Sequence, residues 1–235
     1  MRARPGLVGS VWVVMDQFAA PKLSATVYDA VFAPLEHLGM RAARAELLTQ
    51  ARGRVLEVGA GTGLSLPHYP PAVTSVVAYE PDPGLRTRLD RRAAAAPVPV
   101  RVVAGGIPGL DLADGSIDTV VCVFVLCTVG DVDAGLADLR RVLARDGSLL
   151  FLEHVLGRRP VAGLQRLVTP AWSHLAGGCH LDRDTIGALR SAGFVITDLD
   201  RLAPLGRLTA GSVVRGRAMA RLATPSPTID PPGGT

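Results

Sequence analysis

The sequence predicts an α/β fold in which a mostly parallel sheet of seven strands, with an antiparallel edge strand, carries helices on both faces. Two observations support this prediction. Short apolar runs alternate with amphipathic stretches along most of the 235 residues, which is typical of βα units around a parallel sheet. Hydrophobic residues make up 48% of the chain but aromatic residues only 4%, so the core has to be built from Ala, Val and Leu, as buried parallel strands usually are.

The beginning of the chain predicts helices. Residues 24–51 carry apolar side chains at helical spacing, and Pro34 is expected to divide them into two helices because proline interrupts the hydrogen bonds of a helix interior. Residues 1–20 are expected to form a flexible arm. Their short apolar stretch, 7–15, leaves a weak membrane anchor and a signal segment open as alternatives.

Strands and helices then alternate to the end of the domain. The predicted strands cover 54–59, 75–80, 100–104, 117–126, 148–155, 194–202 and 212–220, and the predicted helices between them cover 84–96, 131–144 and 182–192. The last two strands are expected to pair antiparallel at the sheet edge. We expect one domain over 21–222, with a helical cover at 21–51, a substrate-covering insertion at 156–181 and a disordered tail at 223–235.

Charge and cysteine content narrow the classes of function. The net charge is +4, and no long basic run suggests a nucleic-acid partner. The three cysteines, Cys122, Cys127 and Cys179, form no C-x-x-C pair, so neither a disulfide framework nor a metal site is expected. A reducing compartment such as the cytoplasm is consistent with this pattern.

The chemistry is expected at the turn after the first strand. Gly59, Gly61 and Gly63 follow the apolar strand at alternate positions, and glycine lets the backbone turn sharply and approach a ligand closely. A nicotinamide dinucleotide site would have the spacing G-x-G-x-x-G. That spacing requires glycine at position 64, where this chain has leucine. Glu57 precedes the glycines, and its carboxylate would repel a pyrophosphate but could hold a cationic aminosulfonium ligand.

A second acid supports a nucleoside ligand. Glu80 ends the second strand and is followed by Pro81. A carboxylate at this place can accept hydrogen bonds from both ribose hydroxyls, and we expect it at an exposed strand end. Asp118, at the beginning of the fourth strand, is expected to be a structural turn residue instead of a catalyst.

The E-x-G-x-G-x-G stretch from Glu57 to Gly63 and the D-G-S-I-D stretch from Asp114 to Asp118 resemble class I S-adenosylmethionine-dependent methyltransferases. The resemblance implies a Rossmann-like fold and S-adenosyl-L-methionine as cofactor. Such enzymes often have an acid for adenine after the third strand. This chain has Gly106 and Ile107 in that region, which implies recognition by backbone groups and apolar contact. The implied cofactor-binding residues are Glu57, Gly59, Ala60, Gly61, Thr62, Gly63, Glu80, Pro81, Gly106, Ile107, Val125 and Leu126.

The second half of the chain resembles a narrower group. The stretches 125–129, 139–143, 151–155, 170–172 and 178–183 are similar to the methyltransferase-like 7 group of thiol S-methyltransferases, and more distantly to bacterial phospholipid and quinone methyltransferases. The resemblance implies a small apolar acceptor, with a thiol favoured over a phospholipid head group or a quinone precursor. Human members of the group begin with a membrane anchor, which this chain matches only with its short apolar stretch, so peripheral membrane contact stays open.

Candidate catalytic groups are few because a thiol needs little help from a base near neutral pH. His154, expected just after the fifth strand, and Tyr28 in the N-terminal cover are the candidates, with Asp29 and His180 as further polar groups near the acceptor. Two other functions stay open. One is a nicotinamide-dependent oxidoreductase, and the other is a regulator that binds the cofactor without turnover. The sequence does not predict the oligomeric state.

Overall fold

The computed structural model describes residues 25–202 and 212–221. The strands are β1 Gly53–Val58, β2 Val73–Glu80, β3 Val100–Ala104, β4 Ile117–Val123, β5 Leu143–Val155, β6 Phe194–Arg201 and β7 Ser212–Ala220. They form one sheet in the order β3-β2-β1-β4-β5-β7-β6. Strands β1 to β5 run parallel, whereas β7 pairs antiparallel with both β5 and β6. The predicted fold is confirmed, and the antiparallel strand lies one place in from the edge.

Helices cover both faces of this sheet. They are α1 Ala25–Leu35, α2 Arg41–Leu48, α3 Pro83–Ala93, α4 Val132–Val142, α5 Val161–Leu175 and α6 Thr185–Ser191. Asp82, Asp131 and Asp184 begin α3, α4 and α6, and each side chain accepts a hydrogen bond from a backbone N–H of the first turn. Such a cap satisfies donors that the helix itself leaves without partners.

The core consists of two apolar layers, one on each face of the sheet. In β1, Val55 belongs to one layer, while Leu56 and Val58 belong to the other, as the alternation of side chains along a strand requires. In β4, Val120 and Val121 are both fully buried. A strand covered on both faces reads as a continuous apolar run, which is why the sequence identified β4 clearly.

Several predicted boundaries are wrong. Pro34 does not divide the N-terminal helices, because it lies inside α1 near its end. The chain instead departs from helical geometry at Gly39, with φ of 126°, a conformation that glycine adopts without a steric penalty. Strand β4 ends at Val123 and not at Leu126, since Phe124 has φ of 57°. Strand β5 begins at Leu143 and not at 148, and His154 lies near its end, inside the strand and not after it.

The strand order places a crevice at the carboxyl ends of β1 and β4. These neighbours lead to connections on opposite sides of the sheet, and in open α/β sheets ligands bind where the strand order reverses in this way. Helix α5 belongs to the segment 156–181, which follows the carboxyl end of β5. In the part of the chain that the structure describes, no helix has the length and apolar character to cross a membrane.

Candidate active site

The glycine turn after β1 is shaped by close packing. Gly59, Gly61 and Gly63 all have positive φ, at 60°, 58° and 84°. A Cβ atom on Gly59 would stand 2.6 Å from Cγ2 of Val125, so this position excludes any side chain. At Gly61 the same construction meets nothing closer than 4.0 Å. The turn is thus packed tightly against the residues after β4 and is open at its middle glycine.

Glu80 joins β2 to this turn. Its Oε2 accepts a hydrogen bond from the backbone N–H of Gly61 and its Oε1 accepts one from Asp82, both at 2.8 Å. Contrary to the expected exposed strand end, Glu80 is only 5% exposed, because the turn closes over the end of β2. Burial raises the pKa of its carboxyl above the usual value, opposed by the two backbone hydrogen bonds. Each oxygen retains acceptor capacity toward the crevice.

Glu57 is also buried. The hydroxyl of Tyr69 donates to its Oε2 at 2.8 Å. Burial raises the pKa of the Glu57 carboxyl, while hydrogen bonds from Ser65 and Tyr69 act in the opposite direction. A buried acid held by neutral donors is a fixed acceptor. Its predicted contact with a cationic ligand stays a prediction.

The remaining predicted contacts lie at the ends of β2 and β3. A Cβ on Gly106 would stand 4.0 Å from the ring of Pro81. Ile107 is almost fully buried, and the peptide bond between it and Pro108 is cis. A Cβ on Gly135 of α4 would meet Ile107 at 3.1 Å. We expect adenine to lie beside these apolar neighbours.

The turn after β4 is held by two side chains that the sequence analysis did not single out. Glu153 is fully buried, and its carboxylate accepts hydrogen bonds from the backbone N–H groups of Val125 and Leu126 at 2.8 and 2.9 Å and of Cys127 at 3.2 Å. Arg183 donates to the carbonyl oxygens of Leu126 and Val129. Glu153 and Arg183 lie in the stretches 151–155 and 178–183 that resemble the thiol S-methyltransferases, but spacing along the chain does not reveal that both contact the same turn.

The N-terminal cover is tied to the glycine turn through Asp29. The hydroxyl of Thr62 donates to Oδ1 of Asp29 at 2.6 Å. Arg88 and Arg92 of α3 both contact Oδ2, at 2.9 and 2.8 Å. Asp29 therefore binds the cover to the turn instead of facing an acceptor alone. The side chain of Tyr28 lies outside the described part of the structure, so its catalytic role stays a prediction.

His154 lies in a cluster with two cysteines. Its Nδ1 is 3.3 Å from Sγ of Cys179 and 3.8 Å from Sγ of Cys127, and the two sulfur atoms are 3.4 Å apart. The contact with Cys127 lowers the pKa of the Cys179 thiol, whereas the same contact and burial raise the pKa of Cys127. The His154 ring also packs on Phe124, with centroids 4.7 Å apart.

Two further residues from the sequence analysis, His180 and Asp118, lie in different parts of the structure. His180 is exposed, although its backbone N–H donates to the carbonyl of Cys127. Asp118 accepts a hydrogen bond from the backbone N–H of Arg54 at 2.7 Å, at the start of β1 and so at the opposite end of the sheet from the crevice. This position supports a structural instead of a catalytic role, although Asp118 lies within β4 and not in a turn as predicted.

Comparisons with known proteins bear on this arrangement. A family model described as a methyltransferase domain matches residues 56–151. The human thiol S-methyltransferase TMT1B is 34% identical over 206 residues, which cover 81% of this chain and 83% of the relative. The demethylmenaquinone methyltransferase of Thermobifida fusca is 37% identical over 115 residues, 48% of each chain. A solved geranyl diphosphate methyltransferase in complex with S-adenosylmethionine shares the fold, with a TM-score of 0.62 at 14% identity over 86% of this chain and 93% of that one.

Proposed function

Because this chain belongs to the class I S-adenosylmethionine-dependent methyltransferases and groups with the thiol S-methyltransferases, we propose that it methylates the sulfur of a small apolar thiol. Family membership establishes the enzyme class and the cofactor, and the thiol acceptor is the part that we propose. Membership also removes the nicotinamide-dependent oxidoreductase from the alternatives that the sequence left open.

The residues of the crevice fit the cofactor. Glu80 has one hydrogen bond on each carboxylate oxygen, so each can accept one more, and we assign them to the two ribose hydroxyls. Gly61 leaves open space beside the turn, and the Glu57 carboxyl is the acceptor that we expect to face the cationic part of the ligand. When bound, S-adenosylmethionine supplies a methyl group on a positively charged sulfur. The chain's own contribution is orientation and exclusion of water.

One observation carries the choice of an apolar acceptor. At the carboxyl end of β4, Phe124, Val168 and Trp172 pack, partly buried, against the buried side chains of Cys127, Cys179 and Leu181. This apolar surface lies beside the turn 125–127, where we expect the methionine side of the cofactor. An apolar surface there favours an acceptor that can leave water at little cost.

A thiol acceptor also agrees with the small number of candidate bases, which are His154 and Tyr28. A thiol is partly ionised near neutral pH, so its sulfur can attack the methyl carbon in line while the bond from that carbon to the cofactor's sulfur breaks. The proton leaves with solvent or with a nearby base. His154 and Tyr28 stay candidate catalytic groups, and the thiol reaction does not depend on either.

A second function has support from a relative. The demethylmenaquinone methyltransferase of Thermobifida fusca is named for a quinone acceptor, and an apolar surface would also suit a quinol. A carbon or oxygen nucleophile has a greater need for a base than a thiol does. A phospholipid head group, or cofactor binding without turnover, are the remaining alternatives.

The deciding experiment is a transfer assay with cofactor labelled on the methyl group. The purified full chain is offered alkyl thiols of increasing length, lipid amines and quinols, and the labelled products are identified by mass spectrometry. We expect transfer to thiols, rising with chain length, and loss of transfer in Glu80→Gln. Labelled quinol or lipid without labelled thiol would refute the thiol proposal. Binding of S-adenosylhomocysteine without any product would instead support the regulator.

The peripheral membrane contact that the sequence left open is proposed for one face of α5. Val161, Leu164 and Leu167 are 40%, 50% and 78% exposed and recur at helical spacing, so they lie on one side of the helix. Arg158 and Arg166 are exposed in the same region. An apolar stripe with basic neighbours fits the surface of an anionic bilayer, from which an apolar acceptor could be drawn.

A further inference from the structure

Three buried side chains with metal-binding atoms meet between the sheet and the segment 156–181. Cys127 follows β4, His154 lies next to the last residue of β5 and Cys179 follows α5. They are 0%, 7% and 5% exposed. Cys122, the third cysteine, lies within β4 and is not one of the clustered side chains. The fold thus brings together residues whose spacing in the sequence gave no reason to expect a metal site.

The three atoms have the spacing of ligands around one ion. Their separations are 3.3, 3.4 and 3.8 Å. A tetrahedral Zn²⁺, with Zn–S of about 2.3 Å and Zn–N of about 2.0–2.1 Å, would set its ligand atoms about 3.6–3.8 Å apart. The point equidistant from Nδ1 and the two sulfur atoms lies about 2.0 Å from each in their plane. An ion slightly above that plane would bind all three with little rearrangement.

Chemistry also favours a metal over three neutral side chains. Thiols are weak donors and weak acceptors, so two of them satisfy a buried imidazole nitrogen poorly. Two thiolates and one imidazole form a donor set that suits zinc instead of magnesium or calcium. Two negative charges would balance the ion, so the buried cluster would carry no net charge.

We propose that Cys127, His154 and Cys179 bind one Zn²⁺ ion. The ion forms bonds to two sulfur atoms and to Nδ1 of His154, and the two thiol protons leave to solvent. Three protein ligands leave a fourth position for water or another small ligand. The site joins the turn after β4, the end of β5 and the end of the segment 156–181, and so fixes this segment to the sheet.

Zinc binding gives His154 a role other than that of a base. With Nδ1 on the metal, the neutral imidazole carries its proton on Nε2 and cannot accept one from a substrate. The segment 156–181 would then be held by the metal in addition to Gln165, whose side-chain amide donates to the carbonyl groups of Val155 and Leu181 at 3.0 and 2.8 Å.

The test uses the full chain, purified under a thiol-free reductant without chelator, and measures zinc by elemental mass spectrometry. We expect one equivalent per chain. After chelation, added Co²⁺ should give thiolate-to-cobalt charge-transfer bands and the intense visible bands of a tetrahedral ion, and Zn²⁺ should displace them. Cys127→Ser and Cys179→Ser should lose both signals, whereas the matched control Cys122→Ser should retain them.

Two outcomes would overturn the proposal. One is reduced wild-type protein that holds no zinc and gives no cobalt spectrum. The other is a Cys127–Cys179 disulfide that forms as readily with zinc present as without it, since bound thiolates resist oxidation. The wild-type measurements do not require any variant to fold. They also involve no acceptor, so failure of thiol methylation would leave the zinc result intact.

Discussion

Replacing Glu80 by Gln tests the cofactor site most directly. The change keeps the shape of the side chain but removes its charge and one acceptor oxygen. If Glu80 accepts both ribose hydroxyls, the change affects two hydrogen bonds to a charged group, each contributing about 1.5–3 kcal/mol. Since Gln retains one neutral acceptor, we expect a loss of about 2–4 kcal/mol, which is at least about thirtyfold in the dissociation constant.

The structure requires a stability control for this variant. Glu80 is buried and bonded to the N–H groups of Gly61 and Asp82, so Glu80→Gln also leaves one donor without its partner, at about 1–3 kcal/mol. Asp184→Ala removes the cap of α6, where Asp184 accepts from Gly187 at 2.9 Å, and should cost about 1 kcal/mol of stability. It should leave cofactor affinity unchanged.

Titration calorimetry with S-adenosylhomocysteine, alongside thermal unfolding, separates the two effects. Because burial raises the pKa of Glu80 above its usual 4.5, affinity in the wild type should fall as the pH falls through that raised value. The carboxyl then becomes protonated and loses acceptor capacity. Glu80→Gln should lack this acid limb. A dissociation constant within about twofold of the wild type would refute the ribose assignment, since it corresponds to less than about 0.5 kcal/mol.

Three other changes test separate parts of the site. Glu153→Gln replaces one carboxylate oxygen by an NH2 group, so at least one of the three backbone N–H groups loses its acceptor. It should lower the free energy of unfolding by about 1–3 kcal/mol, measured in urea, and weaken S-adenosylhomocysteine binding more than Asp184→Ala does. Asp29→Ala breaks the bond from Thr62 and should raise proteolytic cleavage in α1 while β1 stays protected; equal protection of α1 would contradict the link. Leu164→Glu combined with Leu167→Glu should reduce co-sedimentation with anionic vesicles and leave turnover of a water-soluble thiol unchanged, and undiminished sedimentation would exclude this face.

The sequence identified features whose causes are local. The alternation of apolar and amphipathic runs predicted all seven strands, and the glycine spacing after β1 located the turn. Boundaries failed where a single residue changed the backbone. Gly39, instead of Pro34, ends the first helical stretch, and Phe124 ends β4 early. Phenylalanine has a high intrinsic preference for strands. The sequence alone therefore does not predict the positive φ that Phe124 has in the folded protein.

Features that depend on distant contacts were missed. Glu80 looked like an exposed end because no pattern shows that the glycine turn closes over it. Glu153 and Arg183 are 30 residues apart but hold the same turn, and Cys127 and Cys179 are 52 residues apart but nearly touch. Side chains that meet only in the folded sheet leave no periodic signal in the chain.

The left-handed backbone of Phe124 limits which amino acids can replace it when the range of acceptors of this enzyme is to be changed. The residue lies beside His154 at the entrance to the apolar surface, so it is an obvious position to vary. Its φ of 57° costs about 1–2 kcal/mol for most L-residues and more for β-branched ones. A library at this position should therefore be rich in Gly, Asn and aromatic residues and poor in Val and Ile. Trp172, on regular helical backbone, is free of this restriction and is the better place to enlarge the range of substrates.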